Sequence, residues 1–179
     1  PALAAAGGRV FFVAHLSEGI ALRAALPDTE IHILNGLLTD SLDTYREHLL
    51  VPVLGSLGDL QNWKSFCVDV PLPCDIHVDT GMLRLGLPPD ELDTLADAPD
   101  RLTGLNVRFV MSHLASADEA ESGQNPMQLA AFSRARGILP MGQACFANSS
   151  GIFLGPNYHF DMARPGVALY GSNPTPGQP

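Results

Sequence analysis

Short apolar runs, rich in β-branched and aromatic residues, alternate along the chain with longer stretches in which apolar residues recur at helical spacing. The short runs predict β-strands and the longer stretches predict amphipathic helices. The predicted strands cover residues 9–14, 30–34, 51–54, 75–79, 107–113, 143–148 and 159–164. The predicted helices cover residues 17–25, 41–48, 59–66, 89–97, 126–136 and 150–153. Such an alternation is typical of an α/β fold with a parallel sheet.

The length limits which α/β architecture the chain can form. A closed (β/α)8 barrel takes about 250 residues, or about 31 for each strand and its helix, so the 179 residues of this chain accommodate only part of one. An open doubly wound sheet is the rival, but no GxGxxG segment follows the first predicted strand. Residues 1–6 have the composition of the end of an Ala-rich helix, so we expect the chain to be part of a longer protein.

Composition narrows the class of function. Nineteen acidic residues against ten basic ones give a formal net charge of −9, which would repel nucleic acid and anionic lipid. We find no apolar run of the roughly 18 to 20 residues that span a membrane and no signal-peptide pattern, so we expect a cytoplasmic protein. The three cysteines are widely spaced and the six histidines form no HxH or HxxxH pair, so buried thiols are predicted and no metal site is.

One predicted strand carries its polar residues on a single face. Side chains alternate along a strand, so Asp75, His77 and Asp79 share one side, while Ile76 and Val78 share the other. The apolar side is expected to meet helices, and the polar side to line a barrel interior or a strand edge. A polar strand end that is satisfied by neighbouring loops is the alternative.

Further candidates follow the ends of predicted strands, where α/β proteins bind their ligands. Arg84 lies between Gly81 and Gly86, and its guanidinium suits a carboxylate or phenolate oxygen. A surface salt bridge is the commoner role for such an arginine. His113 closes the fifth predicted strand, where a hydrogen-bonded structural histidine is commoner than a catalytic base.

Two late segments predict an anion site. Residues 146–151 end a strand and open a short helix, so Ser149 or Ser150 would cap that helix while free N–H groups face an anion such as phosphate. Arg164 ends the next predicted strand, and Gly166 would let the backbone approach a ligand closely. Simple capping and turn chemistry would account for Ser149 and Gly166 equally well.

Four segments, in this order, together resemble the alanine racemase family: HVDTGMLRLGL (77–87), MSHLASADE (111–119), FANSSGIF (146–153) and DMARPGVALYG (161–171). The resemblance implies a (β/α)8 barrel that binds pyridoxal 5′-phosphate, a separate β-rich C-terminal domain, and a homodimer whose sites use both subunits. It further implies that residues 1–171 are a partial barrel domain with strands two to eight. Residues 172–179, which are rich in Pro and Gly, would then be a linker toward the C-terminal domain.

The resemblance also implies roles around the cofactor. The phosphate would be held by Ser149, Gly166 and Val167, with Asn148 beside them. Arg164 would face the pyridine nitrogen, and His113 would support it from behind. Because an arginine keeps its proton, the ring would not become a pyridinium, which disfavours transamination during proton exchange.

For the substrate, the resemblance implies that Arg84 approaches both the phenolic oxygen of the cofactor and the substrate carboxylate. Many relatives have a carbamylated lysine where this chain has His77. A cationic His77 near Arg84 would repel it, so we predict that His77 is neutral, or that a chloride or an aspartate separates the two.

The resemblance implies racemisation of L-alanine to D-alanine for peptidoglycan, by two bases that this chain does not contain. The Schiff-base lysine would lie upstream of residue 1, and the catalytic tyrosine beyond residue 179 in the partner's C-terminal domain. The single lysine, Lys64, lies in a polar helical context and is predicted at the surface. The chain alone is therefore expected to be an inactive fragment. The alternatives are a broad-specificity amino-acid racemase and a non-catalytic barrel that binds phosphorylated ligands.

Overall fold

A computed structural model describes residues 2–176 and shows strands and helices in alternation. The strands are β1 (Val10–Val13), β2 (Glu30–Ile33), β3 (Leu50–Leu54), β4 (Pro73–His77), β5 (Asn106–Met111) and β6 (Gln143–Cys145). The helices are α1 (Ala2–Ala5), α2 (Leu16–Ala25), α3 (Leu42–Glu47), α4 (Leu57–Phe66), α5 (Pro89–Asp97) and α6 (Gln124–Ile138). Short 3-10 turns cover Thr39–Ser41, Pro99–Leu102, Gly151–Leu154, Pro156–Tyr158 and Val167–Tyr170. The predicted α/β class is confirmed.

The six strands form one parallel sheet in the order β1-β2-β3-β4-β5-β6, and that sheet curls into a half-barrel. Phe12 of β1 and Phe109 of β5 show the curl, because their ring centroids are 6.1 Å apart. In a flat sheet the four steps between these strands, of about 4.8 Å each, would keep the rings much farther apart. The inner faces of β1 and β5 therefore look toward each other.

Two apolar clusters lie on the two faces of the sheet. The larger one, between the sheet and the helices, includes Ile76 and Val78, as the alternation in β4 predicts. The smaller one lies on the inner face and contains Val53, Phe109, Met111 and Cys145, with Phe12 packed against them. Cys67, Cys74 and Cys145 are free and buried, as expected.

An ion cluster on the inner face joins three strands. His32 of β2 places Nδ1 at 2.6 Å from Oδ2 of Asp75 in β4, and Oδ1 of Asp75 accepts the N–H of Phe109. Glu30 lies 3.1 Å from Nε2 of His32 and binds Arg108 through both carboxylate oxygens at 3.0 Å. Although burial lowers the pKa of His32, the neighbouring carboxylates of Asp75 and Glu30 raise it above its usual value.

The predicted strand over 159–164 is wrong. This stretch contains only isolated bridge residues, Phe160 and Met162, of which Met162 pairs with Cys145, and Phe160 has a positive φ of 50°. The N–H of Ala144, which a neighbouring strand would use in its ladder, donates instead to the carboxylate of Asp161 at 2.7 Å. The side chain of Asp161 thus takes the position of a backbone partner, and the described residues form six strands rather than the seven expected.

Strand β4 ends two residues earlier than predicted because the chain folds back on it. Leu87 donates its N–H to the carbonyl of His77 at 2.8 Å and accepts the N–H of Asp79 at 2.9 Å. Gly86, with a φ of 105°, lies so close that an added Cβ would be 2.7 Å from the nitrogen of Asp79. This closed loop over 78–87 carries Arg84.

The two ends of the chain were predicted to be the end of a helix and a linker. The helix α1 agrees with the helical composition of the opening residues. The predicted linker falls partly on residues 177–179, which lie outside the described residues, and residues 172–176 form no helix or strand. Within residues 2–176, no helix combines the length and the apolar character that crossing a membrane requires.

Candidate functional site

The carboxyl ends of the parallel strands bring the predicted polar residues to one edge of the half-barrel. His77 ends β4, His113 follows β5, and Asn148 and Ser149 follow β6. Arg164 follows the isolated bridge between Met162 and Cys145. Parallel strands end on the same edge, so residues separated by up to 87 positions in sequence become neighbours there.

The hydroxyl of Ser149 joins two segments at this edge. Its side chain is 2% exposed, and its Oγ accepts the N–H of Gly166 at 2.8 Å and that of Ala168 at 3.3 Å. Asn148 anchors the first segment, because its Oδ1 accepts the N–H of Gly151 at 2.9 Å and its Nδ2 donates to the carbonyl of Leu114. Ser149 therefore holds the loop that contains Gly166 and Val167 against the end of β6.

A cavity of about 170 Å³ opens between these segments. It is lined by His113, Asn148, Ser149, Ser150, Arg164, Gly166 and Val167. Val167 begins a 3-10 turn, so its N–H lies outside the hydrogen bonds of that turn and can donate to a ligand. A hydroxyl, an amide, backbone N–H groups and a guanidinium are the donors that a phosphate group requires.

Arg164 is held at its guanidinium by β5 and β6. Nη2 donates to the carbonyl of Ser112 at 2.6 Å, and Nη1 donates to the carbonyl of Cys145 at 2.9 Å. Nη1 also lies 2.8 Å from the sulfur of Cys145. These bonds use three of the five N–H donors of an arginine, so the others can face a ligand.

His113 lies on the same cavity as Arg164. Between residues 2 and 176, the hydrogen bonds of Arg164 go to Ser112 and Cys145 and not to His113. Nε2 of His113 instead lies 3.5 Å from Nδ2 of Asn148. Support of Arg164 by His113 stays a prediction.

Arg84 and His77 line a second cavity, of about 310 Å³, at the same edge. Asn35, Ser56 and Asp59 are among its other polar residues. Asp79, on the far side of the loop, accepts three consecutive N–H groups with Oδ1, from Gly81, Met82 and Leu83. The predicted site residues thus line two cavities at one edge, and the charges of Arg84 and Arg164 both act on His77 and His113.

Burial, followed by the charges of two arginines, lowers the pKa of both histidines at this edge. Burial, Arg164 and Arg84 lower the pKa of His113 to about 4. Burial, followed by Arg164, His113 and Arg84, lowers the pKa of His77 to about 3, against an opposing effect of Asp79. Both imidazoles are therefore neutral near pH 7, and for His77 this is the first of the outcomes that the sequence predicts.

The single lysine lies elsewhere. Lys64 is near the end of α4, and its Nζ donates to the carbonyls of Asp100 and Arg101 at 3.2 and 3.4 Å. A helix that follows a strand runs back toward the amino ends of the sheet, so Lys64 faces away from both cavities. Residues 2–176 also contain no group of three or more His, Cys, Asp or Glu side chains that could hold a metal ion.

Sequence reasoning missed three residues at this edge: Ser112, Cys145 and Phe12. The sequence indicated Phe12 only as a member of an apolar strand, and Cys145 only as a buried thiol in another. Alternation along the predicted strand places Cys145 and Ala147 on one face. Nothing in the sequence indicates that the sulfur of Cys145 contacts Arg164. That contact depends on a residue 19 positions away.

Comparison with known proteins places these observations in a family. The family model described as "Alanine racemase, N-terminal domain" matches residues 1–174. A catabolic alanine racemase of Mesorhizobium japonicum is 48% identical over 99% of this chain and 48% of its own length. An alanine racemase of Methylobacterium sp. is 46% identical over 100% of this chain and 50% of its own length. The chain thus spans about half the length of these relatives.

Solved structures agree with the sequence comparison. The crystal structure of alanine racemase from Bartonella henselae with covalently bound pyridoxal phosphate is 40% identical, with a TM-score of 0.95, over 100% of this chain and 53% of that one. The biosynthetic alanine racemase from Pseudomonas aeruginosa is 28% identical, with a TM-score of 0.82, over 96% of this chain and 48% of that one.

Proposed function

This chain belongs to the alanine racemase family, and we propose that it supplies the cofactor-holding part of an enzyme that interconverts L-alanine and D-alanine with pyridoxal 5′-phosphate. The observation that carries the proposal is the joining of Ser149 to Gly166 and Ala168 on one cavity with Arg164. That cavity has the donors for a phosphate group and a cation beside them.

The residues of the chain fit the cofactor in two places. Ser149, Gly166 and Val167, with Asn148 beside them, would surround the phosphate, and the hydroxyl of Ser149 and the free N–H of Val167 would donate to it. Arg164, whose orientation the carbonyls of β5 and β6 determine, would donate toward the pyridine nitrogen. The hydroxyl of Ser149 is buried, so water competes little for its hydrogen bonds. Its position is set by the N–H groups of Gly166 and Ala168, and it would be oriented before the phosphate binds.

The reaction requires that the hydrogen on the α-carbon of alanine be removed and returned on either face. Bound pyridoxal phosphate supplies an electron-withdrawing ring for that step. Arg164 keeps its proton and so leaves the ring nitrogen unprotonated, which limits how much charge the ring accepts. Arg84, exposed in the second cavity, would bind the substrate carboxylate. His77 and His113 stay neutral and add no positive charge near these arginines.

The two bases are proposed to come from outside residues 1–179. A lysine and a partner-subunit tyrosine would exchange the α-proton, in a homodimer of (β/α)8 barrels followed by C-terminal domains. Residues 1–171 would form the barrel portion and residues 172–179 the linker. We place the enzyme in the cytoplasm, where it would make D-alanine for peptidoglycan.

The test uses the full-length protein that contains this chain. We expect it to show the visible absorption of bound pyridoxal phosphate and to convert L-alanine to D-alanine, measured by a D-amino-acid oxidase assay. Equal rates with serine, lysine or arginine would favour a broad-specificity racemase. Bound cofactor without racemisation of any amino acid would favour the non-catalytic barrel and would contradict the proposal.

A further inference from the structure

Arg164 extends across the inner face of the half-barrel and contacts both edges of the sheet. From β6, Cys145 presents its carbonyl oxygen at 2.9 Å and its sulfur at 2.8 Å to Nη1. From β1, at the opposite edge, Phe12 presents its ring, whose centroid lies 5.8 Å from Cζ of Arg164. The first and last strands of the sheet thus meet at one guanidinium.

We propose that Cys145 and Phe12 are positioning residues for Arg164, which together set the direction in which its remaining N–H groups point. This inference rests on the proposed function, in which Arg164 donates to the ring nitrogen of the cofactor. The carbonyls of Ser112 and Cys145 are backbone atoms that any sequence supplies. The thiol of Cys145 and the ring of Phe12 are side chains, so these two contacts with Arg164 depend on the amino-acid sequence.

Burial makes the thiol a specific partner. Cys145 is 0% exposed, so water cannot readily replace its sulfur as an acceptor beside Nη1. A guanidinium is planar and donates in fixed directions, so loss of one contact on Nη1 lets the whole plane turn. Turning would move the free N–H donors away from the ligand.

The ring of Phe12 is itself held in place. It stacks on the imidazole of His32 with centroids 4.6 Å apart and planes at 24°. His32 is fixed in turn by Asp75. The guanidinium therefore lies over the end of a rigid aromatic pair, where a cation is attracted to the ring face.

The experiment compares variants of the full-length protein loaded with pyridoxal phosphate. Cys145→Ala removes the sulfur, Cys145→Ser restores a small polar acceptor, and Phe12→Leu removes the ring face. Cys74→Ala is the matched control for the first, because Cys74 is also 0% exposed and lies in the outer cluster. Phe66→Leu is the matched control for the ring, because Phe66 carries Arg46 at 4.4 Å on the outside of the half-barrel.

The decisive readout is the ratio of transamination to racemisation. In transamination, bound pyridoxal phosphate and alanine become pyridoxamine phosphate and pyruvate. A misdirected guanidinium would let the ring nitrogen take up a proton, which favours this side reaction. We expect Cys145→Ala and Phe12→Leu to raise the ratio about three- to tenfold, with a pH-dependent shift in the absorption of the bound cofactor. Cys145→Ser should return most of the way to the wild-type ratio, and both controls should equal it.

Crystal structures of the unloaded protein provide a readout that does not depend on the cofactor. We expect the guanidinium plane to turn in Cys145→Ala and Phe12→Leu and to keep its direction in Cys145→Ser and in both controls. An unchanged plane, or an unchanged ratio in variants whose circular dichroism shows a folded protein, would overturn the inference. If the wild type binds no pyridoxal phosphate, the proposed function fails, while the guanidinium plane still decides whether Cys145 and Phe12 position Arg164.

Discussion

At the scale of single residues, Ser149 has the largest expected effect on cofactor binding. Replacing it by alanine removes the acceptor shared by the N–H groups of Gly166 and Ala168. We expect Ser149→Ala to weaken the affinity of the full-length protein for pyridoxal phosphate about tenfold or more, measured by absorbance titration. Ser133→Ala is the control, because Ser133 makes only a bond to the carbonyl of Leu129 on α6. Equal affinities in the two variants would contradict the phosphate assignment.

His77 makes the stability of the protein sensitive to acid. Its pKa in the folded state is about 3 because of burial and the nearby arginines, whereas in the unfolded chain it is about 6.5. Below pH 6.5 the unfolded chain takes up a proton that the folded protein does not, so stability falls as the pH falls from about 6.5 toward 3.

We expect His77→Asn to reduce this loss by up to about 1.4 kcal/mol for each pH unit between pH 6 and pH 4. Urea denaturation at pH 7, 6, 5 and 4 measures it. His48→Asn, on the outside of the half-barrel after α3, should follow the wild type. His32 has the opposite effect, because its raised pKa adds stability that is lost as the pH rises. His32 is present in the wild type and in both variants, so its contribution cancels in the comparison.

At the scale of secondary-structure elements, the contact between β2 and β4 stabilises the curl of the sheet. Asp75 and His32 lie two strands apart and are both fully buried. We expect Asp75→Asn to lower the free energy of unfolding by about 3 to 5 kcal/mol, because the buried His32 would keep only the partly exposed Glu30 as a charged partner. Asp93→Asn breaks the exposed pair with Arg134 and should cost less than about 1 kcal/mol. A similar cost for both in urea denaturation would show that the buried pair does not support the curl.

The loop that carries Arg84 depends on Gly86. An added Cβ there would lie within 3 Å of backbone atoms of Asp79 and Val78. We expect Gly86→Ala to destabilise the protein by about 2 kcal/mol or more, from both the positive φ and the clash. Gly104→Ala separates the two causes, because Gly104 also has a positive φ but has nothing within 4 Å of the added Cβ. Thermal denaturation that gives equal losses would exclude the clash.

Element patterns in the sequence predicted six of the strands and the face on which Asp75 and His77 lie, because alternation depends only on local backbone geometry. They failed at 159–164, where the carboxylate of Asp161 accepts the N–H of Ala144 and only isolated bridges form in place of a strand. They also could not name His32 as the partner of Asp75. That pairing requires β2 and β4 to approach across β3, and only the curl of the whole sheet brings them together.

At the scale of the whole molecule, the position of the single lysine leads us to predict that this chain on its own does not attach the cofactor covalently. Lys64 is bonded to carbonyls at the opposite end of the half-barrel from Ser149. We expect the 179-residue chain, mixed with pyridoxal phosphate and treated with borohydride, to show no labelled peptide at Lys64 in mass spectrometry. Lys64→Ala should give the same result. A labelled Lys64, or racemisation of alanine by the chain alone, would contradict this account.

The sequence predicted that Ser149, Gly166 and Arg164 meet at one edge of the sheet, and they do line one cavity there, although the predicted strand that was to end at Arg164 does not form. It did not predict the separation of Arg84 into a second cavity, which follows from the fold-back of the chain over 78–87. Local pattern determines which strand end a residue follows. The path of the loop after that end determines which cavity the residue lines.

The way in which one long stretch is attached to the end of β6 has a consequence for the life of the protein in the cell. Residues 155–171 form no strand; hydrogen bonds of Asp161 and Arg164 tie their middle to β6, and Ser149 ties the part around Gly166 to the segment that follows β6. A ligand held between Ser149 and Gly166 would reinforce that tie, so newly made polypeptide that has not yet received its vitamin-derived group would be the form most open to proteases there. Supply of the vitamin would then influence how much of the protein accumulates, as well as how much of it is active.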